Sequence, residues 1–405
     1  MDRLAAPDVI RVMVFNIENG GTGVALDRVV EAIRRADPDI VALEEAMGNA
    51  GPIAAALGWG FASNRSQLIS RHPIVDPSAG EGVFEFVEIR LGRVVAVANV
   101  HLPSEPYGPS LVRQGVGWDA VVDLESRVRL PEIERILGHV AGLAQAGIPL
   151  IVLGDFNAPS HLDWTAGREG PGILARPAIA WPVSRAVAVA GLRDSWREVH
   201  GDPRSKPGFT WWAARPPVGR DDPGPADPED RIDFIYCAGP IETVDSQLVG
   251  EAGRPDVAIA VMPWPSDHRA LVSSFRVRGA ANPDPVGSAP VVAQRAADRV
   301  RLRSARQTYR VGEPIELDWA QAPANRWDWI GLFPAPARLF QDGHLVWAHT
   351  RAQASGSVRL DASSAIVDQS PTGGAWPIPA GEYEAAYLLD DMDEQVAWTS
   401  LMIVP

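Results

Sequence analysis

The sequence predicts an α/β fold for about the first two thirds of the chain and a small all-β domain after it. Residues 9–16 form an apolar, strand-like segment, residues 26–33 carry apolar side chains at helical spacing, and residues 40–43 are again apolar. A helical pattern that starts near Pro131 leads into another apolar strand at residues 149–153. This alternation of strands and helices is typical of an α/β domain.

The rest of the chain is predicted to consist mainly of strands. Residues 67–74, 83–91 and 93–101 are predicted strands, and the tight glycine turn between the last two favours antiparallel pairing. Residues 231–236 form a further strand after the segment 215–229, which is rich in proline and acidic residues and is predicted to be a loop. Beyond residue 300, short strands separated by turn residues indicate a β-sandwich.

Length and composition indicate a globular chain with two domains. The chain has 405 residues, of which 46% are hydrophobic and 22% are charged, so it can bury more than one core. We expect an α/β domain at residues 1–278, a linker rich in proline and glycine at residues 279–294, and the β-sandwich at residues 295–405.

Charge and residue usage disfavour several classes of function. The formal net charge of −14 repels polyanions and gives no general reason to expect nucleic-acid binding. Cys237 is the only cysteine, which excludes an intramolecular disulfide and favours a packing role for this residue. Lys206 is the only lysine, which disfavours Schiff-base chemistry and a phosphate-binding loop that depends on lysine.

The amino terminus lacks the apolar core of a signal peptide, and no later run is long and apolar enough to cross a bilayer. The sequence therefore predicts a cytoplasmic protein. A leader removed before residue 1 would change this prediction to secretion.

Three polar residues at predicted strand ends can hold a divalent cation. Glu45 follows a buried strand, and a carboxylate there is a hard oxygen ligand suited to Mg²⁺. Asn16 can add a neutral oxygen or position that carboxylate, and Asp267 can supply a second carboxylate, directly or through water. We expect these three residues to form a metal site for Mg²⁺, with Mn²⁺ as an alternative.

Five further residues have the chemistry needed to hydrolyse a phosphate ester. His268 can take a proton near neutral pH if Asp233 holds its tautomer, and Asp155 competes with it for the role of base. Asn157 and His101 can donate hydrogen bonds to the phosphoryl group as negative charge grows on it. The sequence predicts that these side chains meet at one edge of a sheet.

Six blocks of residues, in this order, resemble the motifs of the endonuclease/exonuclease/phosphatase superfamily. The blocks are Phe15-Asn16, Leu43-Glu44-Glu45, Asn99-Val100-His101-Leu102, Gly154-Asp155-Phe156-Asn157, Arg231-Ile232-Asp233 and Ser266-Asp267-His268. The resemblance implies a four-layer α/β sandwich with two central mixed β-sheets and a Mg²⁺-dependent site at one edge. It also implies that Glu45 is the principal metal ligand.

Two features distinguish this chain within the superfamily. Glu44 stands where members commonly carry glutamine, which adds a negative charge next to Glu45. The block around His101 resembles the neutral sphingomyelinase and inositol polyphosphate phosphatase branches, because apurinic endonucleases usually place a tyrosine there.

The second domain resembles the immunoglobulin-like SKICH domain of some inositol polyphosphate phosphatases through residues 328–333 and 381–387, which implies a targeting role at a membrane or protein.

The predicted function is metal-dependent hydrolysis of a phosphodiester or phosphomonoester by direct attack of water. We expect a small-molecule or lipid substrate, namely a phospholipid head group or a sugar-like phosphate, ahead of nucleic acid. Two alternatives stay open: a DNA nuclease of the exonuclease III type, and a catalytically weak protein whose second domain recruits it to a partner.

His161 and Asp163 can reach the site or brace the loop after Asn157, and bracing is the simpler expectation.

Overall fold

The computed structural model describes most of the chain. The described residues are 8–75, 83–90, 93–165, 168–170, 173–176, 178–216, 229–278, 300–322, 328–336, 344–350, 353, 355–362, 364, 376–389 and 395–405. The predicted linker at residues 279–294 and most of the predicted loop at residues 215–229 lie outside these residues. No helix among the described residues is both long and apolar enough to cross a membrane.

The chain divides into two compact units. The larger comprises Met1–Ser63, Gln67–Gly80 and Phe84–Pro290, and the smaller comprises Asn64–Ser66, Glu81–Val83 and Val291–Pro405.

The larger unit contains helices and strands in alternation. Its α-helices are α1 (Leu26–Ala36), α2 (Ala50–Leu57), α3 (Gly108–Arg113), α4 (Trp118–Val128), α5 (Leu130–Gln145), α6 (Pro182–Val189) and α7 (Ser195–Val199), with a short 3₁₀ helix at Asn19–Gly21. Its strands are β1 (Asp8–Asn16), β2 (Ile40–Glu44), β3 (Phe61–Ser63), β4 (Leu68–Ser70), β5 (Ile74–Val75), β6 (Glu85–Arg90), β7 (Arg93–His101), β8 (Leu150–Asp155), β9 (Arg168–Gly170), β10 (Ile173–Arg176), β11 (Arg193–Asp194), β12 (Asp233–Ala238), β13 (Ile241–Gly250), β14 (Val257–Ala260) and β15 (Ala270–Val277).

Two mixed sheets form the centre of this unit. One has the strand order β14-β13-β15-β1-β2-β4-β3, and the other has the order β11-β12-β8-β7-β6-β5. β1 runs parallel to β2, and β7 runs parallel to β8, while β15 and β12 pair with their neighbours antiparallel. Side chains of α1 and α2 share a core with the outer face of the first sheet, and α5 contacts β7 and β8. The α/β architecture expected from the sequence is confirmed.

The two sheets face each other across an apolar core that is built from alternate strand residues. Because strand side chains alternate between faces, every second residue of a strand points into this core. The core residues from the five strands that lead to the candidate site are Val12 and Val14, Ile40 and Ala42, Val95 and Val97, Ile151 and Leu153, and Ile235 and Cys237. The buried thiol of Cys237 therefore has the packing role predicted for it.

Several elements differ from the prediction. Residues 67–74 form two short strands, β4 and β5, that belong to different sheets, because the chain turns between Ser70 and Ile74. The strands β13 and β14 and the helix α2 were not predicted. β13 has exposed or partly exposed residues along its first half, so its pattern is weaker than that of a strand buried on both faces.

The smaller unit contains one antiparallel sheet and one mixed sheet. Its strands are β16 (Arg301–Ser304), β17 (Thr308–Arg310), β18 (Ile315–Ala320), β19 (Trp329–Pro334), β20 (Val346–His349), β21 (Gly356–Leu360), β22 (Gly381–Leu388) and β23 (Gln395–Val404). A three-stranded sheet β16-β18-β21 and a five-stranded sheet β17-β23-β22-β19-β20 contribute side chains to one apolar core. The unit is therefore a β-sandwich, while the SKICH-like and immunoglobulin-like assignments remain predictions.

Candidate active site

The alternation that builds the core also places polar side chains at one edge of both sheets. Each of the five strands has apolar residues facing the core, and the inward-facing position beyond them, at this edge, is polar. These residues are Asn16 on β1, Glu44 on β2, Asn99 and His101 on β7, Asp155 on β8 and Asp233 on β12. The register pairs Asn16 with Glu44, His101 with Asp155, and Asp233 with Asp155. The edge predicted from the sequence therefore exists, and most of its members are fully buried.

Gly154 allows β7 and β8 to approach each other closely at this edge. Its φ is +141°, a conformation that residues with a side chain rarely adopt, and a Cβ atom here would collide with the backbone of Val100. Since His101 and Asp155 follow these two residues, the missing side chain brings the imidazole and the carboxylate together.

Four side-chain nitrogen atoms converge on one oxygen of Asp155. Nδ2 of Asn16 lies 3.1 Å from Oδ2 of Asp155, and Nδ2 of Asn157 lies 3.2 Å from it. Nε2 of His268 and Nε2 of His101 lie 3.7 Å and 3.8 Å from the same oxygen. The other oxygen, Oδ1, accepts a hydrogen bond from the peptide N–H of Asn157 at 2.9 Å.

His268 is held by the carboxylate of Asp233. Nδ1 of His268 lies 3.0 Å from Oδ2 of Asp233, and both side chains are buried. Ser266 Oγ accepts the peptide N–H of His268 and donates to the carbonyl of Asn16, which ties this segment to the end of β1. A carboxylate on Nδ1 fixes the ring orientation and directs Nε2 towards Asp155.

Glu45 lies beside this cluster in a left-handed turn. Its φ is +55°, and its carboxylate accepts hydrogen bonds from Nδ2 of Asn16 at 3.2 Å and from the peptide N–H of Asn19 at 2.9 Å. The amide oxygen of Asn16 accepts the peptide N–H of Glu18 at 3.0 Å. Of the two roles expected for Asn16, this arrangement corresponds to positioning the carboxylate of Glu45.

Asp267 is fixed through its backbone and its side chain. Its peptide N–H donates to Oε2 of Glu18 at 3.2 Å, and its carbonyl accepts the N–H of Ala213 at 2.6 Å. The indole N–H of Trp211 donates to Oδ2 of Asp267 at 3.3 Å. Glu45 lies close enough for its negative charge to raise the pKa of Asp267, in addition to the larger effect of burial.

Burial and mutual repulsion shift the proton affinities of the cluster. Burial and the negative charge of Asp233 raise the pKa of Asp155 to about 6, against the lowering effect of the two histidines. Burial lowers the pKa of His268, but the neighbouring carboxylates, led by Asp233, outweigh it and raise the pKa well above its usual value. The metal-free cluster therefore favours an imidazolium at His268 and a carboxyl at Asp155 that titrates near neutral pH.

Glu44 differs from every other carboxylate at this edge. It is fully buried, and among the described residues neither of its carboxylate oxygens has a hydrogen-bond partner. Burial, followed by repulsion from Asp233 and Asp155, raises the pKa of Glu44 well above its usual value. The raised pKa favours the neutral form of this side chain, which would be electrically similar to the glutamine expected there.

The donor atoms at this edge fit a hard divalent cation. Glu45 and Asp267 offer carboxylate oxygens, which suit Mg²⁺ and Mn²⁺, at the less buried side of the edge. Asp155, Asp233 and His268 form a second group whose ligand atoms all lie within 4.8 Å of one another. The chain thus presents the chemistry of a metal site.

His161 and Asp163 have other partners. Nδ1 of His161 lies 2.9 Å from Oγ of Ser184, while Asp163 forms buried ion pairs with Arg197 and Arg231. These contacts correspond to the bracing role. Sequence reasoning did not link Glu18 or Trp211 to Asp267, because these contacts form between distant segments and no local pattern connects them.

The geometry agrees with a comparison to known protein families. The model of the Endonuclease/Exonuclease/phosphatase family matches residues 13–268, which is well over half of the chain. The chain belongs to this family, and the family expected from the sequence is confirmed. Its members are phosphoesterases and nucleases, so the protein is a hydrolase of phosphate esters.

Several proteins are similar to this chain over about two thirds of its length. An uncharacterized protein of Caenorhabditis elegans is 28% identical over 290 residues, which is 66% of this chain and 91% of that protein. Truncated TDP2 of Caenorhabditis elegans is 20% identical, with a TM-score of 0.39 over 66% of this chain and 98% of that one. A mannosyl-6-phosphatase of Bacteroides thetaiotaomicron is 14% identical, with a TM-score of 0.36 over 66% and 99% of the two chains.

Proposed function

We propose that the protein is a divalent-cation-dependent phosphoesterase that cleaves a P–O bond by direct attack of water. The observation that carries this proposal is the convergence of Asn16, Asn157, His101 and His268 on one oxygen of Asp155. Such a group of donors around a carboxylate can hold a tetrahedral anion and a water molecule side by side. The family membership supports the same reaction class.

In the proposed reaction Asp155 accepts the proton of the attacking water. A pKa of about 6 suits a group that must be ionised before the step and protonated after it. The water oxygen forms a bond to phosphorus while the bond to the leaving oxygen breaks. The imidazolium of His268, held by Asp233, donates a hydrogen bond to a phosphoryl oxygen, and Asn157 and His101 donate to the same group.

Glu45 and Asp267 are proposed to hold the cation, with Asn16 orienting Glu45. When bound, a divalent cation supplies positive charge to the phosphoryl oxygens and so favours attack on phosphorus. The carboxylates supply the hard oxygen ligands that this requires. Mg²⁺ is the proposed ion, and Mn²⁺ has compatible chemistry.

Nucleic-acid diesters belong among the proposed substrates beside lipid and sugar phosphates. The net charge of −14 belongs to the whole chain, whereas substrate contacts depend on the charge near the site. The family description itself includes nucleases and phosphatases. We therefore give nucleic-acid diesters the same weight as lipid and sugar phosphates.

The test is a panel of phosphate esters with the full chain stripped of metal and then given Mg²⁺ or Mn²⁺. The panel contains a single-stranded DNA, a DNA with an abasic site, a phosphodiester and a phosphomonoester of p-nitrophenol, a phospholipid and a sugar phosphate. We expect cation-dependent turnover of at least one member, lost on chelation.

A histidine variant and its matched control distinguish a loss of the active site from a general loss of folding. His268→Gln is expected to lower the rate by about 10²–10⁴-fold, the usual size of an acid–base or hydrogen-bonding contribution. His161→Gln changes a histidine bonded to Ser184 and is expected to keep the rate. If the wild type turns over nothing in the panel, the alternative of a catalytically weak targeting protein is favoured.

A further inference from the structure

One turn connects the two carboxylates proposed to hold the cation. The peptide N–H of Asn19 donates to the carboxylate of Glu45, and the carboxylate of Glu18 accepts the peptide N–H of Asp267. The N–H of Glu18 in turn donates to the side chain of Asn16. Glu18 and its neighbour therefore fix the separation of Glu45 and Asp267, although neither residue was expected to act at the site.

The backbone of this turn is unfavourable without external contacts. Glu18 has a φ of +54° and Asn19 a φ of +48°, in the left-handed region that residues other than glycine rarely adopt. Two consecutive residues in this region persist only where the surrounding structure holds them. The hydrogen bonds to Asn16, Glu45 and Asp267 depend on this conformation.

Arg215 supplies the contact that holds the turn. Its Nε and one terminal nitrogen donate to the two carboxylate oxygens of Glu18, each at 2.5 Å. The side chains are only 6% and 11% exposed, and the guanidinium lies 5.4 Å from the ring centre of Trp212. A bidentate pair that is largely removed from water is more specific in geometry than an exposed ion pair.

Arg215 belongs to the segment 211–215, which also contacts Asp267 and His268. The indole N–H of Trp211 donates to the side chain of Asp267, and the peptide N–H of Ala213 donates to its carbonyl. The backbone of Trp211 also forms an isolated β-bridge with His268. The ion pair between Arg215 and Glu18 connects this segment to the turn that contains Glu18 and Asn19. Asp267 is consequently held between two segments that Arg215 joins.

We infer that Glu18 and Arg215 are positioning residues that set the affinity of the protein for its divalent cation, by fixing Asp267 relative to Glu45. This inference rests on the proposed function. Partners behind the direct ligands of a metal typically change its affinity by about 10–100-fold when removed. Charge alone predicts the opposite sign for Arg215, because loss of a positive charge beside a cation site strengthens cation binding.

The experiment is calorimetric titration of the metal-free full chain with Mn²⁺. Arg215→Ala is expected to weaken binding about 10–100-fold, and Glu18→Ala is expected to weaken it similarly. The double variant is expected to bind no more weakly than the weaker single variant, because the two residues act as one pair. Arg35→Ala, which removes an exposed arginine from an ion pair with Glu31 on α1, is expected to leave the affinity unchanged.

The outcomes separate the inference from the proposed function. If the wild type binds no Mn²⁺, the proposed function is wrong. If the wild type binds Mn²⁺ and Arg215→Ala binds equally or more tightly, only the positioning role is overturned. Circular dichroism of each metal-free variant checks folding, and if Arg215→Ala is unfolded, Arg215→Lys must weaken binding for the inference to stand, because it keeps the charge and loses the bidentate geometry.

Discussion

The candidate site has two halves that the fold holds in different ways. Asp155, Asp233 and His101 lie on strands, where the register of β7, β8 and β12 sets their separation. Glu45 and Asp267 lie in loops and depend on hydrogen bonds and an ion pair from distant segments. The strand half is the more deeply buried of the two. The comparison shows that groups proposed for proton transfer are fixed by sheet geometry, whereas groups proposed for the cation are fixed by tertiary contacts.

The largest expected effect is the loss of the proposed base in the strand half. Asp155→Asn keeps the shape of the side chain and removes its ability to accept a proton, so we expect a decrease in kcat of about 10²–10⁴-fold with the fold retained. Steady-state kinetics on the substrate found in the panel measure this effect. Asp202→Asn, at an exposed position, is the matched control and is expected to keep the wild-type rate; a similar rate in both variants contradicts the role of Asp155.

The next effect tests whether strand register fixes this half. Gly154→Ala places a Cβ atom against the backbone of Val100 at a φ of +141°, so we expect a loss of about 3 kcal/mol or more in the free energy of unfolding. Chemical denaturation measures it. Gly58→Ala has a φ of +75° but nothing within 4 Å of the new atom, and is expected to cost only about 1 kcal/mol. Equal losses would show that the close approach of β7 and β8 is unimportant.

The loop half is expected to respond to cation concentration. Glu45→Gln removes the charge of the proposed principal ligand and keeps a side chain of the same size. We expect about 10²-fold weaker activation by Mg²⁺, largely recovered at high Mg²⁺. Activity measured against Mg²⁺ concentration gives the shift, and a decrease in rate that no concentration recovers would place Glu45 in the chemical step instead.

The smallest effect concerns the pH dependence of stability at Glu44. Its pKa is raised in the folded protein, so ionisation of the unfolded chain lowers the stability of the wild type as pH rises above the ordinary value of 4.5. Glu44→Gln removes this penalty. In metal-free protein, the stability gain of the variant is expected to grow with pH above about 4.5 by up to about 1.4 kcal/mol per pH unit. A gain that is independent of pH from 5 to 8 would contradict a neutral Glu44.

The agreement between sequence and structure follows the same division. Asp155, Asp233 and His101 could be predicted because each continues the alternation of a buried strand, and the order of the motif blocks identified their family. For the cation half, the sequence predicted Glu45, Asp267 and Asn16, and their role as a metal site stays a prediction. Glu18 and Arg215 escaped prediction because they are nearly 200 positions apart in sequence and their contact follows from no periodic pattern.

The sequence by itself determined the layered α/β domain, the sandwich after it and the polar edge at the strand ends, since periodicity and local order encode them. Only the tertiary structure decided how that edge is finished. It tied His161 to Ser184, left Glu44 buried with no hydrogen-bond partner among the described residues, and joined Glu18 to Arg215. The physical reason is that strand alternation is a local property of the chain, whereas hydrogen bonds and ion pairs between loops depend on which distant segments the packed core brings within reach.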